Sequence, residues 1–414
     1  MHDKILLKDC SDISRRMDTD RFGPFVFQPG CTVSAVDLAL HRVEDAHARF
    51  VASLLSQVVN RLEQEVMVSS VFGTNTIEGG TLTEEETASA LILDLRQVQA
   101  VEQQRALNIK AAYDLSQAAA KTPGWSLTTE FIVDLHRLIT ADIPHEDNRP
   151  GLIRDNPKTR FTYVGDAAHG GRYKPPQYGK DIERLLSALI AWHGELEASG
   201  VPALIRAPLV HLYYEQIHPF WDGNGRVGRV IEATLLQAAG YRYAPFALAR
   251  HYLQNIDAYF TLFNTCRKAA EKGRDAPNQA FVDFHLEGMR QTINTLHDRV
   301  NRLVSMLLYE SKIRRALDDK QINARQYTIL SILLDRGRPL PLDEVRHAPW
   351  YTSLYLKLND KTRQRDLHRL RELELAFLDT ENALWPGFVV PRNIKPPGKP
   401  EQERVSLGGV PSGS

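Results

Sequence analysis

From Ser34 to about Val71 apolar residues return at three- and four-residue steps, at Leu38, Val43, Phe50, Leu54, Val58, Leu62 and Val66. That is the repeat of a helix with one buried stripe. Further helical patterns run over 97–120, 127–141, 179–198 and 203–217. Stripes of this kind must be buried against one another, so the pattern predicts a mainly α fold. Gly79-Gly80, in "TIEGGTLTEEET", breaks the first long run, and Thr83 with Glu86 has the spacing of a capping box for the next helix.

Two regions depart from the helical text. Between Arg149 and Gln177 the chain reads "RPGLIRDNPKTRFTYVGDAAHGGRYKPPQ", where "FTYVG" and "GGRYK" flank a glycine-bearing turn and predict a short β-hairpin at 160–174, ended by Pro175 and Pro176. Residues 1–33, with Gly23, Pro24, Pro29 and Gly30, predict an irregular or strand-containing lead-in. Helices resume after the hairpin and continue to about Asp319. There the order changes to a helix at 323–335, "RPLPLDE" leading into a second, a third at "DKTRQRDLHRLREL", and a two-stranded wing in "AFLDTENALWPGFVV". That is the order of a winged helix-turn-helix. The stretch "KPPGKPEQERVSLGGVPSGS" after Ile394 is too polar to bury itself and predicts disorder.

Composition narrows the partners. Lys plus Arg and Asp plus Glu both number 51 in 414 residues, so no global field draws the protein to nucleic acid or membrane. The 43% hydrophobic content is ample for packed cores in two or three domains. Cys10, Cys31 and Cys266 are odd in number and scattered, which disfavours a disulfide framework or a zinc site and fits a reducing cytoplasm. No run approaches the ~18 apolar residues of a membrane span, and the expectation is a soluble cytoplasmic protein.

The chemistry concentrates in "IHPFWDGNGRVGRV", Ile217 to Val230. Gly223, Gly225 and Gly228 satisfy a dinucleotide fingerprint, but the preceding apolar stripe (Leu209, Leu212, Tyr213, Ile217) is helical where that fingerprint requires a strand. A Walker loop fails because Arg229 and Val230 stand where Lys and Ser or Thr belong, and an EF-hand fails because Arg226 replaces an oxygen ligand. What remains is helix, loop, helix. The second helix would open with unpaired N–H groups and a partial positive charge, an anion nest that glycines let phosphate approach. Arg226 and Arg229 lie three apart and add two cations on one face; Asp222 is a hard oxygen ligand suited to Mg²⁺; His218 can accept a proton near neutral pH.

This stretch resembles the Fic (filamentation-induced-by-cAMP) family, whose motif H-x-F-x-D/E-G-N-G-R-x-x-R is matched at every defined position by His218, Phe220, Asp222, Gly223, Asn224, Gly225, Arg226 and Arg229. The wider resemblance spans roughly 35–290 and takes in the hairpin, which is similar to the family's flap. It implies a Fic-type helical core that moves AMP from ATP to a Ser, Thr or Tyr hydroxyl of a protein target, the protein itself included. In that reading His218 is the base and Asp222 the Mg²⁺ ligand. Gly223, Asn224 and Gly225 cradle the phosphates, Arg226 and Arg229 hold the β- and γ-phosphates, and Asn255 with Tyr259 lines the nucleobase pocket. "TNTIEGG" further resembles the family's inhibitory pattern over Thr74, Glu78 and Gly79, which implies that Glu78 pairs with Arg229 and blocks productive ATP binding, or alternatively assists AMP removal.

The expected organisation is an N-terminal region with the inhibitory helix (1–100), a catalytic core (101–290), a connecting helix (291–320), a winged helix-turn-helix domain (321–392) and a disordered tail (393–414). The winged unit carries Lys361, Arg363, Arg365, Arg369 and Arg371 on its third helix, yet 11 basic against 9 acidic side chains over 321–392 leave a net of only +2, a thin field for DNA. Docking to protein, a homodimer contact and DNA binding stay open for it. So do two rival functions: a DNA-associated regulator whose core senses nucleotide, and a transferase using another phosphate donor.

Overall fold

The computed structural model describes residues 13–144 and 146–396. The chain divides at Asp298 into two compact units. The first opens with a hairpin of β1 (Arg15–Asp18) and β2 (Pro24–Phe27), paired with Arg15 opposite Phe27 and Asp18 opposite Pro24. Its helices are α1 (Val33–Val51), α2 (Val59–Ile77), α3 (Glu84–Ala90), α4 (Val101–Ala120), α5 (Thr129–Thr140), α6 (Gly179–Ala198), α7 (Ala203–Ile217), α8 (Asn224–Ala238), α9 (Ala244–Gln254) and α10 (Ile256–Glu271); it ends inside α11 (Gln279–Asp318). The lead-in is thus a strand pair for its described part, and residues 1–12, with Cys10, lie outside the described residues. Phe25 and Phe27 seat it by packing on Tyr213, and Phe27 also meets Trp192.

α7 and α8 form the centre. Both are buried on almost every side: α7 is largely apolar all round, whereas α8 also buries Arg226, Arg229 and Glu232, each with a polar partner. α8 packs against α4, α5, α7 and α9, while α2 lies along α9 and α4. The long helix expected from Ser34 to Val71 is two helices. Ser53 donates from both its Oγ (2.6 Å) and its N–H (3.1 Å) to the carbonyl of Phe50, a local bond that competes with the helical ladder and ends α1. The capping box on α3 is present, with Glu86 N–H donating to Thr83 Oγ1 (3.2 Å) and Thr83 N–H to Glu86 Oε2 (2.8 Å).

The second unit begins at Arg299 and contains α12 (Ala324–Arg336), β3 (Leu340–Pro341), α13 (Leu342–His347), α14 (Pro349–Leu354), α15 (Asp360–Glu372), β4 (Ala376–Leu378) and β5 (Ala383–Pro386). The strands make an antiparallel sheet in the order β3-β5-β4 over a core that includes Leu330, Leu333, Tyr351, Leu370 and Leu384. Three of the five cations on α15 have partners within the unit, Arg371 in the interior and Arg363 and Arg369 in pairs at the surface. Arg371 is buried and donates to the carbonyls of Lys395 (2.8 Å) and Pro396 (2.7 Å), Arg363 lies over the Tyr355 ring and pairs with Asp360 (3.4 Å), and Arg369 pairs with Glu372 (3.7 Å). Arg371 also corrects the start of the expected disordered tail. Its need for acceptors holds Lys395 and Pro396, Ile394 bridges to Asp379, and Lys395 N–H donates to Leu378 (2.7 Å). The rest of that tail, from 397, lies outside the described residues.

Candidate active site

α7 stops at Ile217, and His218 turns the chain with φ 51° and ψ 64°, a left-handed conformation that costs a non-glycine residue about 1–2 kcal/mol. Neighbours hold it there. Arg154, fully buried, donates to the carbonyls of His218 (2.6 Å), Ile217 (3.3 Å) and Pro176, so one guanidinium satisfies the last carbonyls of α7 and answers its negative end. Asn224 closes the loop from the far side: its Oδ1 accepts from Phe220 N–H (3.0 Å) and its Nδ2 donates to Phe220 carbonyl (2.8 Å). Phe220 stacks flat on His136, centroids 3.7 Å apart. Gly151 N–H donates to His136 Nδ1 (2.9 Å), which places the ring proton on Nε2, and Nε2 then donates to the carbonyl of Asp222 (3.0 Å). Burial lowers His136 to about 4, so it is neutral at ordinary pH.

α8 starts after Gly223, which has φ 77°. Its first turn-closing backbone bond runs from Val227 N–H to Gly223 carbonyl (3.0 Å), leaving the N–H groups of Asn224, Gly225 and Arg226 outside the ladder. A cavity of about 310 Å³ adjoins this end. His218, Gly225, Arg229, Tyr259 and Glu78 line it, together with Glu215 from α7 and Val164, Asp166, His169 and Tyr173 from the segment predicted as a hairpin. That segment keeps only one paired bridge, Val164 with Tyr173 (2.9 and 2.8 Å). The next rung is replaced by a side chain: Gln177 Oε1 accepts from Thr162 N–H (2.8 Å) and its Nε2 donates to Thr162 carbonyl (3.1 Å). The tip is moored to α10, where Asn264 donates to the carbonyls of His169 (3.0 Å) and Gly171 (2.8 Å).

The wall opposite the flap is an ion pair. Arg229 donates to Glu78 Oε1 (2.7 Å), to Thr74 carbonyl (3.2 Å) and to Tyr259 hydroxyl (3.3 Å). Burial disfavours its charge, but Tyr259 and Glu78 more than compensate and hold it protonated above the usual arginine range. Glu78 is set by the end of α2. Gly79, at φ 81°, donates to Thr76 carbonyl (3.0 Å) and Gly80 to Asn75 carbonyl (2.9 Å), the paired bonds of a Schellman stop. Thr74 anchors the same helix through its hydroxyl to Tyr113 (2.8 Å). The carboxylate of Glu78 rests directly over Gly225, where any Cβ would collide with its Oε1. An anion therefore already occupies the positive end of α8. Arg226, also buried, pairs with Asp222 (2.9 Å).

His218, Gly225, Arg229, Tyr259 and Glu78 thus converge on the cavity, whereas Asp222, Gly223, Asn224 and Arg226 build the loop beside it. Asn224, expected to cradle phosphate, spends its side-chain amide on Phe220. Asn255, expected beside a nucleobase, is exposed, lies outside the cavity lining and donates to His251 carbonyl (2.9 Å) in the α9–α10 link. The sequence reading missed the polar chain behind Arg229. Tyr259 hydroxyl meets His211 Nε2 (3.1 Å), His211 Nδ1 meets Glu232 (3.0 Å), and Glu232 also takes Tyr252 hydroxyl (2.9 Å) and His285 Nδ1 (2.9 Å). Burial pushes the Glu232 carboxyl up, but His211 and His285 outweigh it and keep it well below the usual range. The signal was a lone acid inside the apolar run "RVIEATLL".

Among the described residues there is no cluster of three or more His, Cys, Asp or Glu side chains able to cage a metal. A single carboxylate, Asp222, suits an ion such as Mg²⁺ that keeps most of its waters and takes its remaining ligands from a bound phosphate.

Residues 126–236 match the model of the Fic/DOC family. Protein adenylyltransferase Fic of Drosophila ananassae is 27% identical over 190 residues, 45% of this chain and 35% of that protein. The corresponding protein of Aedes aegypti is 25% identical over 190 residues with the same coverage. The chain thus spans about a third of the length of these relatives. Among solved structures, a Fic family protein from Desulfovibrio desulfuricans G20 matches at TM-score 0.54 and 19% identity, over 88% of this chain and 100% of that one. A Fic domain containing signaling protein from Bacteroides thetaiotaomicron VPI-5482 matches at 0.53 and 19%, over 63% and 97%. At this identity the two structures establish the likeness of fold.

Proposed function

We propose, from the premise of a Fic/DOC domain at 126–236, that this protein transfers AMP from ATP to a hydroxyl of a protein target and that Glu78 restrains it. The observation that carries the reading is the Glu78 carboxylate bonded to Arg229 and lying over Gly225. A terminal phosphate of ATP carries charge of the same sign and would seek the same guanidinium and the same helix end.

In the reaction the acceptor oxygen attacks the α-phosphorus, the α–β anhydride bond breaks, and pyrophosphate leaves with the bonding electrons. His218, at the cavity wall, takes the hydroxyl proton; general-base help of this kind is worth ~10²–10⁴-fold. Arg229 fixes the γ-phosphate once Glu78 has withdrawn, and the free N–H groups at the start of α8 face the charge that develops. Asp222 would hold Mg²⁺, which when bound neutralises phosphate charge. Arg226, released from Asp222, would then turn to the β-phosphate. The flap positions an extended acceptor segment along its backbone edge.

The second unit is read as a winged helix-turn-helix with one additional short helix, and its use in protein docking is favoured because Arg371 of α15 is buried and spent on the carbonyls of Lys395 and Pro396. Intact mass spectrometry of Glu78→Gly with Mg²⁺ and ATP tests the reading. A gain of one AMP per acceptor, absent when His218→Ala is added, supports it; no gain in the Glu78→Gly protein rejects it.

A further inference from the structure

Among the residues that line the cavity, four have a buried side-chain atom without a hydrogen-bond partner: Arg229 Nε and Arg267 Nε, whose guanidinium groups bond through their other nitrogens, and His218 Nδ1 and Glu215 Oε1. The last two belong to residues one helical turn apart, and the second oxygen of Glu215 stands 3.6 Å from His218 Nδ1, just beyond hydrogen-bond range. Glu215 is only 11% exposed, and among the described residues no cation lies within ion-pairing distance of it other than this histidine. A carboxylate left this way in a low-dielectric wall is costly unless it acquires a donor. The room it occupies is provided by α8: a Cβ on Gly228 would press on Glu215 Oε1 at 2.6 Å. Closing 3.6 Å to the ~2.8 Å of a charge-assisted bond needs less than 1 Å of movement.

We infer that Glu215 is the positioning residue for His218, and the inference rests on the AMP-transfer reading. His218 Nδ1–H donates to the Glu215 carboxylate, which fixes the neutral tautomer with the Nε2 lone pair free to face the acceptor hydroxyl. When Nε2 takes the proton, the carboxylate stabilises the imidazolium, and the proton stays on His218 without passing to Glu215. Glu215 lines the same cavity, and its assigned part is to act through the ring. Glu232 does not compete for this role, because its oxygens are taken by His211, His285 and Tyr252.

The test compares Glu78→Gly with Glu78→Gly/Glu215→Gln. Single-turnover transfer to the protein itself is followed by intact mass, and affinity for Mg²⁺ with a non-hydrolysable ATP analogue is followed by calorimetry. The inference expects transfer to slow about 10²-fold with analogue affinity changed less than about twofold. A ¹⁵N imidazole spectrum supplies a readout that mere loosening would not produce. The His218 ring, assigned by its loss in His218→Ala, is expected to hold its proton on Nδ1 in Glu78→Gly and to shift towards the other tautomer in the double variant. Equal transfer rates, or an unchanged tautomer, overturn the inference. Absence of transfer in Glu78→Gly itself counts instead against the AMP-transfer reading.

Discussion

Replacing Glu78 by Gln keeps the side-chain volume over Gly225 and removes only the charge, so it isolates the ion pair from simple obstruction. Arg229 is 2% exposed and Glu78 31%. Breaking a buried pair from one side costs about 3–5 kcal/mol. The partial exposure of Glu78, and the two acceptors that remain on Arg229, Thr74 carbonyl and Tyr259 hydroxyl, reduce this to about 2 kcal/mol. In the native protein ATP must displace the carboxylate, so its binding is weaker by that amount, roughly 30-fold. Calorimetry with a non-hydrolysable ATP analogue and Mg²⁺ should therefore find ~30-fold tighter binding in Glu78→Gln. The free variant should melt several degrees lower, and the analogue should restore it. Tightening in Glu78→Gly but not in Glu78→Gln would mean that the carboxylate acts by bulk alone, and the electrostatic reasoning would be wrong.

Three further outcomes follow from the same geometry. Burial lowers both His136 and His193 from the ordinary 6.5 to about 4; the unfolded chain takes up these protons as pH falls below 6.5 while the folded one refuses them until about 4. Stability from this source is therefore level above pH 7 and falls between 6.5 and 4, by about 3 kcal/mol per histidine at ~1.4 kcal/mol per pH unit. Urea midpoints at pH 7.5 and 5 should show the loss, and His136→Gln should lessen it; a midpoint that does not move contradicts the account. Arg154→Leu frees the carbonyls of Ile217 and His218 and should destabilise the protein by about 3 kcal/mol, with transfer in the Glu78→Gly background lost even well below the melting temperature; full activity there would show that His218 keeps its left-handed turn unaided. Asn255→Ala should leave ATP affinity within about twofold, because its side chain bonds only within the α9–α10 link; a tenfold loss would restore it to the nucleotide site.

Much of the helical core could be read from sequence because α6 and α7 carry strong periodic or continuous apolar text between clear stops, and both have the expected bounds. The break between α1 and α2 was invisible, since the apolar period runs through it and only the local bonding of Ser53 ends the helix. The flap differs for a related reason: strand propensity and turn glycines announce a ladder, but Gln177 substitutes a side-chain amide for one rung. The site divides the same way. His218 and Arg229 stand out in one long ordered motif and Glu78 in a short pattern ahead of it, and the structure brings all three to one cavity. Asn224 and Asn255 share the right chemistry but spend it on backbone, which spacing alone does not reveal. His211, Glu232 and His285 meet only through tertiary packing of three helices, and a single sequence shows no more than an acid out of place.

The central claim is that the α-phosphorus of ATP is the centre attacked. Incubating Glu78→Gly with Mg²⁺ and ATP labelled with ³²P at either the α or the γ position, then separating protein from nucleotide under denaturing conditions, tests it most directly. Label from the α position should remain on the protein and label from the γ position should leave as pyrophosphate. Retention of the γ label, or of neither, would contradict the account.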